Sequence, residues 1–139
     1  MRIVLDTNVL VSGLHNPSGT PGRIVDLVMG GQIQLLYDDR ILGEYLDVLA
    51  YPELEIDPSH AQAVVGYIRL AGERVTALPL PADTLPDQDD LPFAEVAASG
   101  AADALVTGNA KHFTRWKNQG NVVLSPAQFL EQLRYPEPS

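Results

Sequence analysis

Asp6 closes a short apolar run, Arg2-Ile3-Val4-Leu5, and is followed by Thr7-Asn8 and a second apolar stretch from Val9. Such a run reads as a buried strand that delivers its carboxylate to the edge of a sheet, where open α/β proteins keep their chemistry. Glu44 and the pair Asp89-Asp90 stand at element boundaries or on helices able to converge on the same edge. Clustered carboxylates suit a hard divalent cation, and the combination points to a metal-dependent hydrolase. The chain has no cysteine, which excludes disulfides, thiolate metal sites and cysteine nucleophiles. Oxygen ligands must then hold any metal, and magnesium or manganese fits.

Each acid also has an ordinary reading. Asp6, Thr7 and Asn8 are all good helix N-caps, so capping explains one of them, but not a carboxylate at the end of a buried strand. Glu44 fits the solvent face of an amphipathic helix. Asp90 lies at the first turn of a helix, where an acid complements the helix dipole, and Asp89 is the alternative ligand there. His15, His60 and His112 show no metal-ligand spacing and read as surface or loop residues.

The elements that must position these residues follow from patterning. Residues 2–6 read as a strand, followed by a short helix through Val9, Leu10 and Leu14. Thr20 caps a second helix with Pro21 at its first position, and Gly30-Gly31 stops it. Residues 33–37 are the next strand. Ile41, Tyr45 and Leu49, with Leu42 and Leu46 beside them, form the apolar stripe of a third helix. Asp57-Pro58 opens a fourth, running to about Gly72, and residues 74–78 read as a strand.

The proline-rich segment 79–86 is an exposed connection to the acidic turn Asp87-Gln88-Asp89-Asp90. A helix over 92–99, a buried strand over 104–107, a last strand over 122–124 and a helix opened by the capping box Ser125-Pro126-x-Gln128 complete the chain. No repeat, low-complexity tract or linker interrupts it. Strands alternating with helices imply a central, mainly parallel sheet covered on both faces, a three-layer α/β/α architecture.

With 139 residues and 45% hydrophobic content, the chain suffices for one core, and a single domain over 1–139 is expected. No stretch approaches a membrane span and no signal-peptide pattern stands at the N-terminus, so a cytoplasmic home without membrane partners is expected. The net charge of −9 opposes general nucleic-acid binding, unless cations bound by clustered carboxylates invert the local sign. Lys111, His112, Arg115 and Lys117 are concentrated around Phe113 and Trp116. They form either a phosphate-touching, base-stacking segment or a solvated helix end with an anchored aromatic.

Asp6-Thr7-Asn8, a glutamate in the helix after the second strand, the acidic turn before Phe93-Ala94, and the segment from Ala102 to Asn109 together resemble the PIN domain. The resemblance runs from residue 2 to about residue 130. It rests on order and spacing rather than on any single motif. Thr107-Gly108-Asn109-Ala110-Lys111-His112-Phe113 is most similar to the branch containing toxin components of type II toxin–antitoxin systems.

The resemblance implies a magnesium- or manganese-dependent endoribonuclease with Asp6, Glu44 and Asp90 as acidic ligands. Asp6 is then the central ligand, Glu44 and Asp90 are ligands or acceptors for bound water, and Asn8 and Thr107 orient them by hydrogen bonds. The fourth family position, usually aspartate, falls on Asn109, whose missing charge weakens the hold on a second ion. Asp103 is either a neighbouring acid or a turn residue before the strand. A small antitoxin protein and a homodimer are the partners the resemblance implies, with RNA as substrate and Lys111, His112 and Arg115 as candidate RNA contacts.

Three other functions compete. An RNA-processing PIN nuclease that is not a toxin would carry the same site. A phosphoacceptor receiver domain also uses acids, a threonine and a lysine at strand ends, but the acidic pair it needs after the first strand is missing. A noncatalytic α/β module would bind a partner through an apolar groove.

Overall fold

The computed structural model describes residues 1–134, so the last five positions of the single-domain reading, 135–139, lie outside the described residues. Among the described residues five strands form one sheet: β1 Arg2–Leu5, β2 Gln34–Tyr37, β3 Glu73–Arg74, β4 Ala104–Val106 and β5 Val123–Leu124. Their order is β3-β2-β1-β4-β5, and every pairing is parallel. The seven α-helices among the described residues are α1 Thr7–His15, α2 Thr20–Met29, α3 Asp39–Leu49, α4 Pro58–Ala71, α5 Leu91–Ser99, α6 Thr114–Lys117 and α7 Pro126–Arg134. This is the α/β/α arrangement expected from the alternation of elements. The order also differs from the 2-1-3-4-5 order of receiver domains, which removes that rival.

Topology decides where chemistry can sit. The chain winds outward from β1 to β2 and β3, then returns across the sheet to β4 and continues to β5. Right-handed crossovers require α5 to cover the opposite face from the helices between β1 and β3. The winding direction therefore reverses between β1 and β4, which opens a crevice beyond the C-terminal ends of these two strands. Ile3, Val4 and Leu5 pair with Ala104, Leu105 and Val106 and are all buried, as a central strand covered on both faces must be.

Several local expectations hold in detail. Asp57 Oδ1 accepts from the Ser59 N–H at 3.0 Å, capping α4. The Ser125 N–H donates to Gln128 Oε1 at 2.9 Å and the Gln128 N–H to Ser125 Oγ at 3.1 Å, the reciprocal capping box before α7.

Two expectations do not hold. Gly19, rather than Thr20, is the cap of α2, and Thr20 is already helical, because the extended backbone at Gly19 presents its carbonyl to the Arg23 N–H. The strand read over 74–78 is only two residues long, Glu73–Arg74. Beyond it the backbone leaves the sheet: the Leu78 N–H donates to Ser99 Oγ and the Leu80 N–H to Glu95 Oε2, each at 2.8 Å. Side chains of α5 thus take the place of strand partners.

The end of the sheet opposite Asp6, where the strands begin, is closed by Arg2. Its guanidinium meets Glu73 at 2.6 Å and its backbone N–H donates to Asp103 Oδ2 at 2.8 Å. Asp103 is therefore the turn residue of its two readings, at the far end of β4 from Asp6.

Close approach of α1 and α2 requires Gly13, where an added Cβ would stand 2.6 Å from Val25 Cγ2 and 2.8 Å from the Pro21 carbonyl oxygen. At Gly66, inside α4, nothing lies within 4 Å of such an atom. Gly66→Ala is expected to stabilise the protein by about 1 kcal/mol and Gly13→Ala to destabilise it by about 1–3 kcal/mol. Denaturant titration checks the opposite signs.

Candidate active site at the β1/β4 switch point

Asp6 is placed by backbone pairing: its N–H donates to the Val106 carbonyl at 2.9 Å, extending the β1/β4 ladder to the lip of the crevice. It occupies the N-cap position of α1, yet its side chain makes no capping bond. The carboxylate instead faces β4, where Thr107 Oγ1 donates to Asp6 Oδ2 at 2.7 Å and Asn8 Nδ2 reaches the same oxygen at 3.2 Å. The Gly108 N–H donates to Asn8 Oδ1 at 3.0 Å and the Asn109 N–H to Thr107 Oγ1 at 3.0 Å, so the turns after β1 and β4 interlock. Only 6% of Asp6 is exposed and Thr107 is fully buried. Burial is the largest influence on Asp6 and pushes its pKa up, while the Thr107 hydroxyl leads the hydrogen bonds that pull it back.

Glu44 reaches the same place from α3. The Thr7 hydroxyl donates to Glu44 Oε2, linking the first turn of α1 to the middle of α3. The next residue, Tyr45, is completely buried and donates its hydroxyl to the Leu5 carbonyl at 2.5 Å. That bond ties α3 to the last residue of β1 and sets the height of Glu44 over the strand end. Burial pushes the Glu44 pKa up, opposed by the Thr7 hydroxyl and reinforced by the charges of Asp6, Asp89 and Asp47.

Asp90 arrives from the 3-10 turn Gln88–Asp90 that leads into α5. Its Oδ2 is buried without a hydrogen-bond partner; His112 Nδ1 is 3.6 Å away, beyond hydrogen-bonding reach. Burial first, then the charges of Asp6, Asp87 and Glu44, push the Asp90 pKa up to about 6, with His112 acting in the other direction. Asp89 is exposed, and its N–H is turned back to Asp87 Oδ1 at 2.9 Å. The structure therefore brings Asp6, Glu44 and Asp90 into electrostatic contact, with Asp89 exposed to solvent but close enough for its charge to act on Glu44.

Asn109 follows Thr107 at the exposed mouth, anchored through its backbone. His112, read from sequence as a surface residue, lies beside Asp90. The aromatic members of the basic segment turn inward: Phe113 and Trp116 are buried in the core and present no face to a base, which overturns the stacking reading. Arg115 Nη1 donates to the Asp83 carbonyl at 2.5 Å, holding the connection that carries the acidic turn. Sequence reasoning missed Thr7 and Tyr45 as parts of the site. Thr7 was legible only as one of three capping types, and Tyr45 only as a member of the apolar stripe.

Whether these residues suit a divalent cation is a question of donor chemistry. Among the described residues, no three His, Asp or Glu side chains form a metal cage. Magnesium does not demand one; it keeps several waters and is commonly held by one or two carboxylates together with substrate phosphate. The orphaned Asp90 Oδ2 and the desolvated, mutually repelling carboxylates around it are what such an ion would satisfy. The residues present fit the group.

An all-parallel sheet with acids gathered at its switch point defines an α/β domain with an acidic crevice. The chain belongs to the PIN domain family, whose model matches residues 2–111. PIN domains are in general nucleases and typically use divalent metals. An uncharacterized protein of Methanocaldococcus jannaschii is 27% identical over 142 positions, covering 95% of this chain and 91% of the relative. The fold is similar to that in the crystal structure of VapBC2 from Rickettsia felis bound to a DNA fragment from their promoter. The TM-score is 0.52 at 17% identity, covering 89% of this chain and 97% of that one.

The crowded carboxylates give stability a defined pH dependence. Asp90 moves from an ordinary value of 3.8 when unfolded to about 6 when folded, so the native state binds more protons between these values. The contribution of Asp90 to the stability of the metal-free protein is expected to be fully present below the lower value and to be lost as pH rises through about 6. Asp90→Asn removes this contribution. Thermal melts in chelator from pH 3.5 to 7.5 should show a smaller acid-side gain for the variant, and parallel curves would contradict the assignment.

Proposed function

We propose that residues 1–139 form a single divalent-metal-dependent endoribonuclease domain, acting as the toxin component of a type II toxin–antitoxin system. The observation that carries the reading is the proximity of Asp6, Glu44 and Asp90 at the switch point, all three with the pKa raised by burial, and Glu44 and Asp90 also by the negative charges around them. Partly desolvated carboxylates held close together are costly unless protonated, hydrogen-bonded or given a cation to hold.

A bound magnesium or manganese ion would supply activation of water and neutralisation of charge on the phosphoryl group. Asp6, oriented by Thr107 and Asn8, would be its central ligand, with Glu44 and Asp90 completing the oxygen set or taking up a proton from water at their carboxylates. Asn109 contributes an uncharged oxygen at the mouth, which favours one ion over two. No protein nucleophile is required. Thr7 and Tyr45 keep Glu44 in place, and burial around Asp6 and Thr107 excludes bulk water from the reacting side.

Lys111 and His112 extend from the site as contacts for the RNA backbone, with Lys117 beyond them. Among the described residues, no ion pair engages either lysine, whereas Arg2, Arg40 and Arg74 are all paired with acids. With no aromatic face exposed in this segment, recognition rests on phosphate. The toxin assignment is supported by the resemblance of Thr107–Phe113 to that branch and by the fold likeness to a structure named for VapBC2. A small antitoxin, a homodimer and a cytoplasmic setting go with it. Among the described residues no helix is long and apolar enough to cross a membrane.

The test is cleavage of single-stranded RNA by purified protein. Cleavage should require magnesium or manganese, cease with chelator, and fall to background in Asp6→Asn while the fold persists. Chelator-insensitive cleavage would overturn the reading. Separately, the double variant Lys111→Gln, Lys117→Gln should flatten the dependence of log affinity on log salt by about 0.7 per lost phosphate contact. An unchanged slope would place the RNA elsewhere.

A further inference from the structure

The three acids are not all carried by the sheet. Asp6 is fixed by β1, but Glu44 rides on α3 and Asp90 stands at the start of α5. Like charges on these helices push them apart. One ion pair crosses between them: Arg40 Nη1 meets Glu95 Oε1 at 2.8 Å. Arg40 precedes Glu44 by one helical turn on α3, and Glu95 lies five positions after Asp90 in α5. Among the described residues no other ion pair joins the two helices.

The pair is oriented from both ends. Glu95 is only 5% exposed, and its second oxygen accepts from the Leu80 N–H at 2.8 Å. Arg40 Nε and Nη2 are held by Asp38 Oδ2 at 2.8 and 2.7 Å. Asp38 in turn caps α3 by accepting from the Ile41 N–H at 3.1 Å. An exposed ion pair carries little weight, but a buried carboxylate with two fixed donors resists displacement. Neither residue faces the crevice chemistry directly.

We infer that the Arg40–Glu95 pair is a positioning device which fastens α3 to α5 and so holds Glu44 and Asp90 at their working separation before any cation arrives. Its consequence for metal binding rests on the proposed function; its effect on helix separation does not.

The test uses the full chain and two readouts. Glu95→Gln keeps the volume and removes the charge. The double variant Arg40→Met, Glu95→Met replaces the ion pair with apolar side chains and serves if the single variant folds poorly. The chain has no native cysteine, so nitroxides on Ala50→Cys and Ala98→Cys, both exposed, report the α3–α5 distance alone. In the metal-free variant the distance distribution should broaden and shift outward relative to the parent. Manganese(II) alone, titrated well below the unfolding temperature, should bind about tenfold more weakly.

An unchanged label distance overturns the inference whatever the ion does. A broadened distance with parent-like manganese affinity also overturns it, leaving a pair that only stabilises. A broadened distance in a protein whose parent takes up no manganese supports the fastening of the helices and removes the metal reading instead.

Discussion

The hydrogen bond from Thr107 to Asp6 joins residues 101 positions apart and fixes the one carboxylate on which the crevice is organised. A charge buried this deeply is tolerated only when its oxygens are oriented and partnered. Here the partners come from the two turns that the sheet brings together, Thr107 from the β4 side and Asn8 from the β1 side. Parallel pairing of β1 with β4 is therefore more than a contribution to the core. It places donor and acceptor within reach at the point where the winding direction reverses.

Around this fixed point the other acids are held by groups that are not acids. Tyr45 spends its hydroxyl on the Leu5 carbonyl and Thr7 spends its own on Glu44. Arg40 and Glu95 stand one turn removed from the carboxylates they influence. A cluster of like charges is a source of strain in a folded chain, and it survives because packing and hydrogen bonds on every side resist the repulsion. Asp90 Oδ2 is the place where this support stops.

Periodicity and punctuation made most of the fold legible. The apolar run before Asp6, the stripe of Ile41, Tyr45 and Leu49, the Asp57-Pro58 start and the Ser125–Gln128 box all act within a few residues, and they emerged as read. The end of β3 was not legible, because what ends it is Glu95 and Ser99 capturing backbone donors 15 and 21 positions earlier in the chain. The inward turn of Phe113 and Trp116 was equally hidden, since four residues of helix are too few to show a stripe. For the site, residue types identified the acids. The supporting hydroxyls of Thr7 and Tyr45 became visible only when distant elements met.

The central place of β1 has a consequence for how the protein is made. The first strand synthesised waits for β4, whose residues follow about a hundred positions later, and pairing over such separations is slow compared with local helix formation. Until Ala104–Val106 has emerged and docked, Asp6 has no Thr107 beside it. A nascent chain can already carry α1 to α4 and still lack an assembled crevice. The order of strands thus leaves Asp6 and Glu44 to be joined last by Thr107 and Asp90, so the crevice is completed only when the later half of the fold docks on the earlier one.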